Sequence, residues 1–236
     1  MGYREVNLNA GCPSGTVVPK HKGAGMLSDL DALDAFFAEV FSHCSLSVSV
    51  KTRLGVTGTE EFPAILEIYN KYPLAELIIH ARDRAGMYRS TPDAAAFVKA
   101  FSSSHNPVCY NGNLFTPFDL TALLSLTPGL QAAMVGRGAA ANPALFRQLQ
   151  GGPALNAEEL REFLLRLESA FLEAGLSDHF ILARLKELWY YLIYMFPGSR
   201  HGSKSINKAQ TLADYHEALR ALFAEGSFSP DGAFSG

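Results

Sequence analysis

The sequence predicts an α/β fold with parallel strands, followed by a small α-helical domain. Three observations carry this. Five short apolar, β-branched runs each end in a polar residue; Gly-rich turns and amphipathic stretches follow them; and from Asn156 onward the strand signals give way to long helical periodicity. Strand-to-strand intervals of about 26–42 residues suit right-handed crossover connections, which make the strands parallel.

The expected strands are Arg4 to Asn9, Leu46 to Lys51, Ala75 to His80, Pro107 to Asn111 and Ala132 to Gly136. Helical patterns between them include Leu30 to Phe41, Glu60 to Tyr69 and Pro92 to Phe101. In the helical part, Asn156 is the expected N-cap with Glu159 as its capping-box partner, and Gly175 closes that helix. A second helix runs from Asp178 to Phe196 through WYYLIYMF and stops at Pro197-Gly198, before RHGSKSINKAQT, to which no element is assigned. A last amphipathic helix covers about Leu212 to Ala224, and the Gly/Ser-rich tail SFSPDGAFSG is expected to fray. The domains therefore read as 1–152 for the strand-bearing part, 153–226 for the helical part and 227–236 for a flexible tail.

Composition narrows the function classes. At 236 residues and 48% hydrophobic, the chain has ample apolar content for a buried core, which excludes disorder as its main state. Twenty Lys and Arg against 23 Asp and Glu give a net charge of −3, so any nucleic-acid contact must rest on a local patch. The three cysteines fit neither a disulfide framework nor the paired spacing of a zinc site, so no metal is expected and a reducing compartment is. No apolar run approaches the roughly 18–20 residues that span a bilayer, and no signal core follows the start. A cytoplasmic, soluble protein without membrane partners is expected.

Polar residues gather at the C-terminal tips of the strands: Asn9 with Cys12, Lys51 with Arg53, His80 with Arg82, then Asn111 and Arg137. In parallel α/β folds that edge is where ligands sit. Any one of these residues is also compatible with a helix cap or a solvated loop, and Lys51 with a snorkelling amine; the recurrence at five successive tips is the functional signal. Cys12 stands in a turn set by Gly11, Pro13 and Gly15, where its thiol serves as either nucleophile or proton donor, and spacing does not decide between them. Cys44 and Cys109 read as small buried hydrophobes. Gly112 and Asn113 after the fourth run, and Gly136, Arg137 and Gly138 after the fifth, place backbone N–H groups where an anion could approach, with Arg137 as the charge partner.

The segment NLNAGCPSGTVVPKHKGAGML resembles the tRNA-dihydrouridine synthase family, whose signature is an Asn-x-GCP loop followed by a Gly-Ala-Gly turn. SVKTRLG, IIHARDRAGMY, PVCYNGNLF and MVGRGAAANPALF resemble the later motifs in family order; the third position of the Asn-Gly loop is Asn113 where the family has aspartate. The match runs from about residue 3 to 150, with a helical part similar in layout. It implies strands four to eight of a TIM (β/α)8-type barrel, a partial barrel followed by the helical domain. On that resemblance the chain is expected to be an N-terminally truncated member, lacking on the order of 80 residues relative to a closed barrel.

The resemblance further implies FMN as cofactor, NADPH as reductant and tRNA as partner. Cys12 would protonate carbon 5 of a uracil while reduced FMN delivers hydride to carbon 6. Lys51 and His80 would contact the flavin, Asn111, Gly112, Asn113, Gly136 and Arg137 its phosphate, and Asn9 and Arg82 the target nucleotide. Tyr88 stays open between a substrate contact and loop packing. From Phe180 to Gln210 five Lys and Arg, among them Arg200 and Lys204, face one acid, a stretch suited to tRNA phosphates as well as to a solvated helix face. Two other functions remain expected alternatives: an inactive fragment with a residual RNA-binding or assembly role, and a flavin-dependent reductase of a free pyrimidine. The oligomeric state is not written in these residues.

Overall fold

The computed structural model describes residues 2–87, 90–230, 232 and 234, the side chains of 200 and 201 excepted. They form two compact units: residues to 113 together with 121–135, and residues 114–120 together with those from 136 on.

The first unit holds β1 (Glu5–Ala10), α1 (Leu30–His43), β2 (Ser47–Arg53), α2 (Phe62–Tyr69), β3 (Leu77–His80), α3 (Ala94–Ser103), β4 (Val108–Asn111) and β5 (Ala132–Met134). The five strands are all parallel and lie in the order β1-β2-β3-β4-β5, as the α/β reading requires. Each expected strand is present within one or two residues at most ends, because β-branched runs bounded by turns leave the backbone little alternative. Asp29 and Asp93 start α1 and α3 by accepting from the N–H groups of Ala32 and Ala96.

The helices pack on one face of this sheet. Phe37 of α1 meets Tyr69 of α2 edge-on, Tyr69 donates its hydroxyl to Thr52 Oγ1 at 3.1 Å, and Phe97 of α3 meets Tyr110 of β4 at 4.7 Å. Thr52, Ile79 and Tyr110 are register partners and so share that face. Since side chains alternate along a strand, the opposite face receives Asn9, Lys51, Arg53, His80, Cys109 and Asn111. Among the described residues, β1 pairs only with β2 and β5 only with β4.

The second unit is helical. It contains α5 (Arg137–Ala141), α6 (Leu145–Leu149), α7 (Ala157–Glu173), α8 (Asp178–Leu192), α9 (Arg200–Lys208) and α10 (Leu212–Glu225), while α4 (Pro117–Leu126) starts in it and ends in the first unit. Leu160, Leu164, Ile181, Leu185, Trp189, Ile206, Tyr215 and Leu222 form its core. The indole of Trp189 donates to the Tyr215 hydroxyl at 2.9 Å, which satisfies the polar end of a buried aromatic pair. The Asn156–Glu159 capping box is present at the start of α7, and Gly175, with φ +74°, follows its end. Arg147 of α6 grips both oxygens of Glu159 at 2.9 Å.

Three local features depart from the sequence reading. RHGSKSINK, unassigned from sequence, forms α9, because Ile206 is buried in the core and Gly202 packs beneath Leu222. The compact units divide between 135 and 136, not at 152, since α5 packs on α8. The tail expected to fray is anchored at its described residues: Phe228 packs on the core, the Ser229 N–H donates to the Met195 carbonyl at 2.8 Å, and Phe234 is 2% exposed. Its composition suggests fraying, but two phenylalanines six residues apart supply enough apolar area to hold it.

Candidate functional site

In the first unit the strand tips form a row along the face opposite α1, α2 and α3. Register sets Asn9 beside Lys51, Arg53 beside His80, and His80 beside Asn111. Cys12 lies just beyond β1, half-buried, in a loop fixed from three sides. The Asn9 side chain accepts from the Gly11 N–H at 3.1 Å, Arg53 Nε donates to the Gly11 carbonyl at 2.9 Å, and the Ala24 N–H donates to the Cys12 carbonyl at 3.0 Å. Gly23 permits this closure: it has φ +55°, and a Cβ there would lie 2.8 Å from Cys12 Cβ. The Gly-Ala-Gly turn is therefore the backing of the cysteine loop.

Arg53 is the residue that strand-tip reasoning left without a role. It is 1% exposed and joins the cysteine loop to the loop after β3, donating to the carbonyls of Gly11, Asp83 and Met87. The signal was its spacing two residues after Lys51, which puts both cations on one face. Burial, and secondarily the Arg53 charge, lower the pKa of the half-buried Lys51 amine from its ordinary value. An anionic or electron-rich partner would relieve that cost.

His80, Arg82 and Asn113 form one chain. Arg82 donates to His80 Nε2, to Asn113 Oδ1 (both 3.0 Å) and to the Ser90 carbonyl at 2.6 Å. A guanidinium only donates, so His80 Nε2 accepts, and the ring is neutral with its proton on Nδ1. Arg82 itself is 2% exposed. Arg82, expected from the sequence as a nucleotide contact, is also tied by these bonds to His80 and Asn113. Asn111 spends its amide on the Met134 carbonyl at 2.9 Å, tying β4 to β5. Cys109 is buried, which pushes its thiol up to about 12, in keeping with an inert core cysteine.

In the second unit Gly136 and Arg137 begin α5. A Cβ on Gly136 would meet open space, whereas one on Gly138 would lie 1.9 Å from the Leu114 carbonyl. Gly138 thus serves packing, whereas the space beside Gly136 is open. The Arg137 guanidinium lies against the rings of Phe115 and Phe234. On α9 Lys204 is exposed, while the side chain of Arg200 lies outside the described residues, as does Tyr88. Lys186, counted in the basic stretch, donates to the Ala209 carbonyl at the end of α9. Among the described residues, no helix is long and apolar enough to cross a membrane, and no group of three His, Cys, Asp or Glu is placed to hold a metal ion.

Comparison with known proteins gives a consistent result. The family model described as dihydrouridine synthase matches residues 1–222. The chain is 25% identical to tRNA-dihydrouridine synthase B of Pseudomonas syringae pv. tomato, over 98% of this chain and 70% of that protein. It is 25% identical to tRNA-dihydrouridine synthase B of Escherichia coli K12, over 94% and 71% respectively. A shorter match, 27% identical, covers 63% of this chain and 46% of tRNA-dihydrouridine synthase B of Vibrio cholerae.

Proposed function

This chain belongs to the dihydrouridine synthase family, and from that premise we propose that it reduces uridine to 5,6-dihydrouridine in tRNA, with FMN as bound cofactor and NADPH as reductant. The observation that carries the reading is the immobilised cysteine loop beside the Asn9–Lys51 pair, on the sheet face opposite α1, α2 and α3.

The residues suit a flavin. Lys51 is a half-buried cation whose charge an electron-rich ring would compensate, and His80 is a fixed neutral imidazole. Asn111, Gly112 and Asn113, and separately Gly136 and Arg137, are proposed as contacts to its ribityl phosphate. Reduced flavin would supply hydride to carbon 6 of the uracil. Cys12 supplies the proton to carbon 5, so it acts as general acid. Its immobilised loop matters because proton transfer demands hydrogen-bond reach, which a mobile thiol meets only part of the time. The target base has to leave its stack to reach this face. Asn9 and Arg82 are proposed to contact the target nucleotide, with Arg200 and Lys204 contacting tRNA phosphates.

The test is Cys12→Ala in the flavin-reconstituted protein. Dihydrouridine formation in unmodified tRNA is expected to fall by about 10²–10⁴-fold, the range for losing a general acid, while flavin reduction by NADPH persists. Equal dihydrouridine formation in the variant would remove Cys12 from the chemistry. Reduction of free uridine as fast as tRNA would move the substrate to small pyrimidines.

A further inference from the structure

Phe234, in the Gly/Ser-rich tail, packs among four other aromatic rings. Its centroid lies 5.1 Å from Tyr191, 5.1 Å from Tyr194, 5.8 Å from Tyr190 and 5.4 Å from Phe115. The Arg137 guanidinium carbon is 5.5 Å from the Phe234 centroid and 5.6 Å from that of Phe115, so the cation and the two rings form a nearly equilateral triangle. The two rings meet at 67°. Both distances fall within the roughly 6 Å over which an aromatic face attracts a cation. The strap that carries Phe234 is held by its backbone: Ser229 donates to Met195, Gly232 donates to the Ser229 carbonyl at 3.1 Å, and a Cβ on Gly232 would lie 2.2 Å from the Tyr194 carbonyl.

We propose that Phe234 is a positioning residue for anion binding: with Phe115 it sets the direction of the Arg137 side chain, so that the guanidinium is preorganised for a phosphate monoester. This rests on the reading of Arg137 as the charge partner of the cofactor phosphate, and deepens it. An arginine side chain has rotamer entropy to lose on fixing a ligand. A ring pair that holds it beforehand removes part of that cost from binding, which raises affinity for the phosphate without adding a contact.

The experiment compares FMN with riboflavin, which differ by the phosphate, in fluorescence titrations of the full-length protein freed of flavin. The wild-type protein should prefer FMN. Phe234→Leu keeps an apolar side chain but loses the aromatic face, and it should weaken FMN by about tenfold, equivalent to about 1.4 kcal/mol, leaving riboflavin unchanged. Phe234→Tyr should restore FMN affinity to within about twofold, since it retains the ring. Gly232→Ala, which displaces the strap with its ring intact, should give a loss in the same sense. Circular dichroism checks that each variant is folded, and the leucine variant stands in for an alanine one that does not fold. Phe234→Leu binding FMN as the wild-type does, or losing FMN and riboflavin alike, overturns the proposal. Arg137→Ala separates the two readings: if it abolishes the FMN preference and the Phe234 variants do not, only the positioning role falls. If Arg137→Ala leaves the preference intact, the phosphate reading fails and the positioning role with it.

Discussion

Arg53→Met should unlatch the cysteine loop. The guanidinium is 1% exposed and donates to Gly11 at 2.9 Å and to Asp83 at 2.8 Å, with a longer third bond to Met87 at 3.3 Å. Hydrogen bonds from a charged group contribute about 1.5–3 kcal/mol each, so the two short ones alone represent about 3–6 kcal/mol. Methionine keeps much of the apolar stem and water reaches part of the vacated space, so a net loss of about 3–4 kcal/mol is expected, in line with breaking a buried charged network. Arg53→Lys keeps the charge but not the fork, and should lose about half as much. Urea denaturation followed by far-ultraviolet circular dichroism measures this: with a slope of about 2 kcal/mol per molar, the midpoint should drop by about 1.5–2 M. Alkylation of Cys12, read by peptide mass spectrometry, should accelerate in the same variant because the Gly11 carbonyl is released. A midpoint within about 0.3 M of wild type, a shift worth only about 0.6 kcal/mol at that slope, would refute the latch.

Thiol chemistry offers a second check. At pH 8 a disulfide reagent should modify Cys12 and Cys44 in the folded protein and reach Cys109, buried with its thiol pushed up to about 12, only after denaturation. Tyr215→Phe strands the buried Trp189 N–H and should lower stability by about 1–3 kcal/mol in thermal melts; an unchanged melting temperature would mean that water replaces the hydroxyl. On the acid side, carboxyls held below their ordinary range include Asp93 by the Ala96 N–H, Glu159 by Arg147 and Asp214 by the Gln210 N–H. Each is lowered in the folded state. Their stabilisation is therefore complete above the unfolded values of about 4 and is lost as pH falls through the folded ones. Melting temperature should hold from pH 7 to 5 and decline below 4, and Asp93→Asn with Glu159→Gln and Asp214→Asn should flatten that decline.

The strands and their tips were legible because alternation and turn residues are local signals. Asn9, Lys51, His80 and Asn111 could be placed along one edge before any coordinates, and they do share one face. What those side chains touch was not legible. Arg53 reaches 42 residues back to Gly11, and Arg82 reaches 31 forward to Asn113; no pattern in a linear chain distinguishes a buried strut from a ligand contact. The α9 segment escaped for a different reason. Gly202, Ser203, Ser205 and Asn207 have poor intrinsic helix propensity, and its helix depends on tertiary burial of Ile206. Phe234 escaped because Gly and Ser around it outweigh one ring in any composition window.

Strand alternation also limits how the sheet unit can diverge. Lys51 and Arg53 occupy odd positions of β2, while Val50 and Thr52 occupy even ones under the helices. A single-residue insertion or deletion inside that strand exchanges the two sets, driving two cations into the apolar layer and lifting Val50 out of it. Point substitutions face no such all-or-none penalty. Length variation among descendants of this sequence should therefore collect in the turns, and the spacing of Lys51 to Arg53 should outlast the identity of the residues around it.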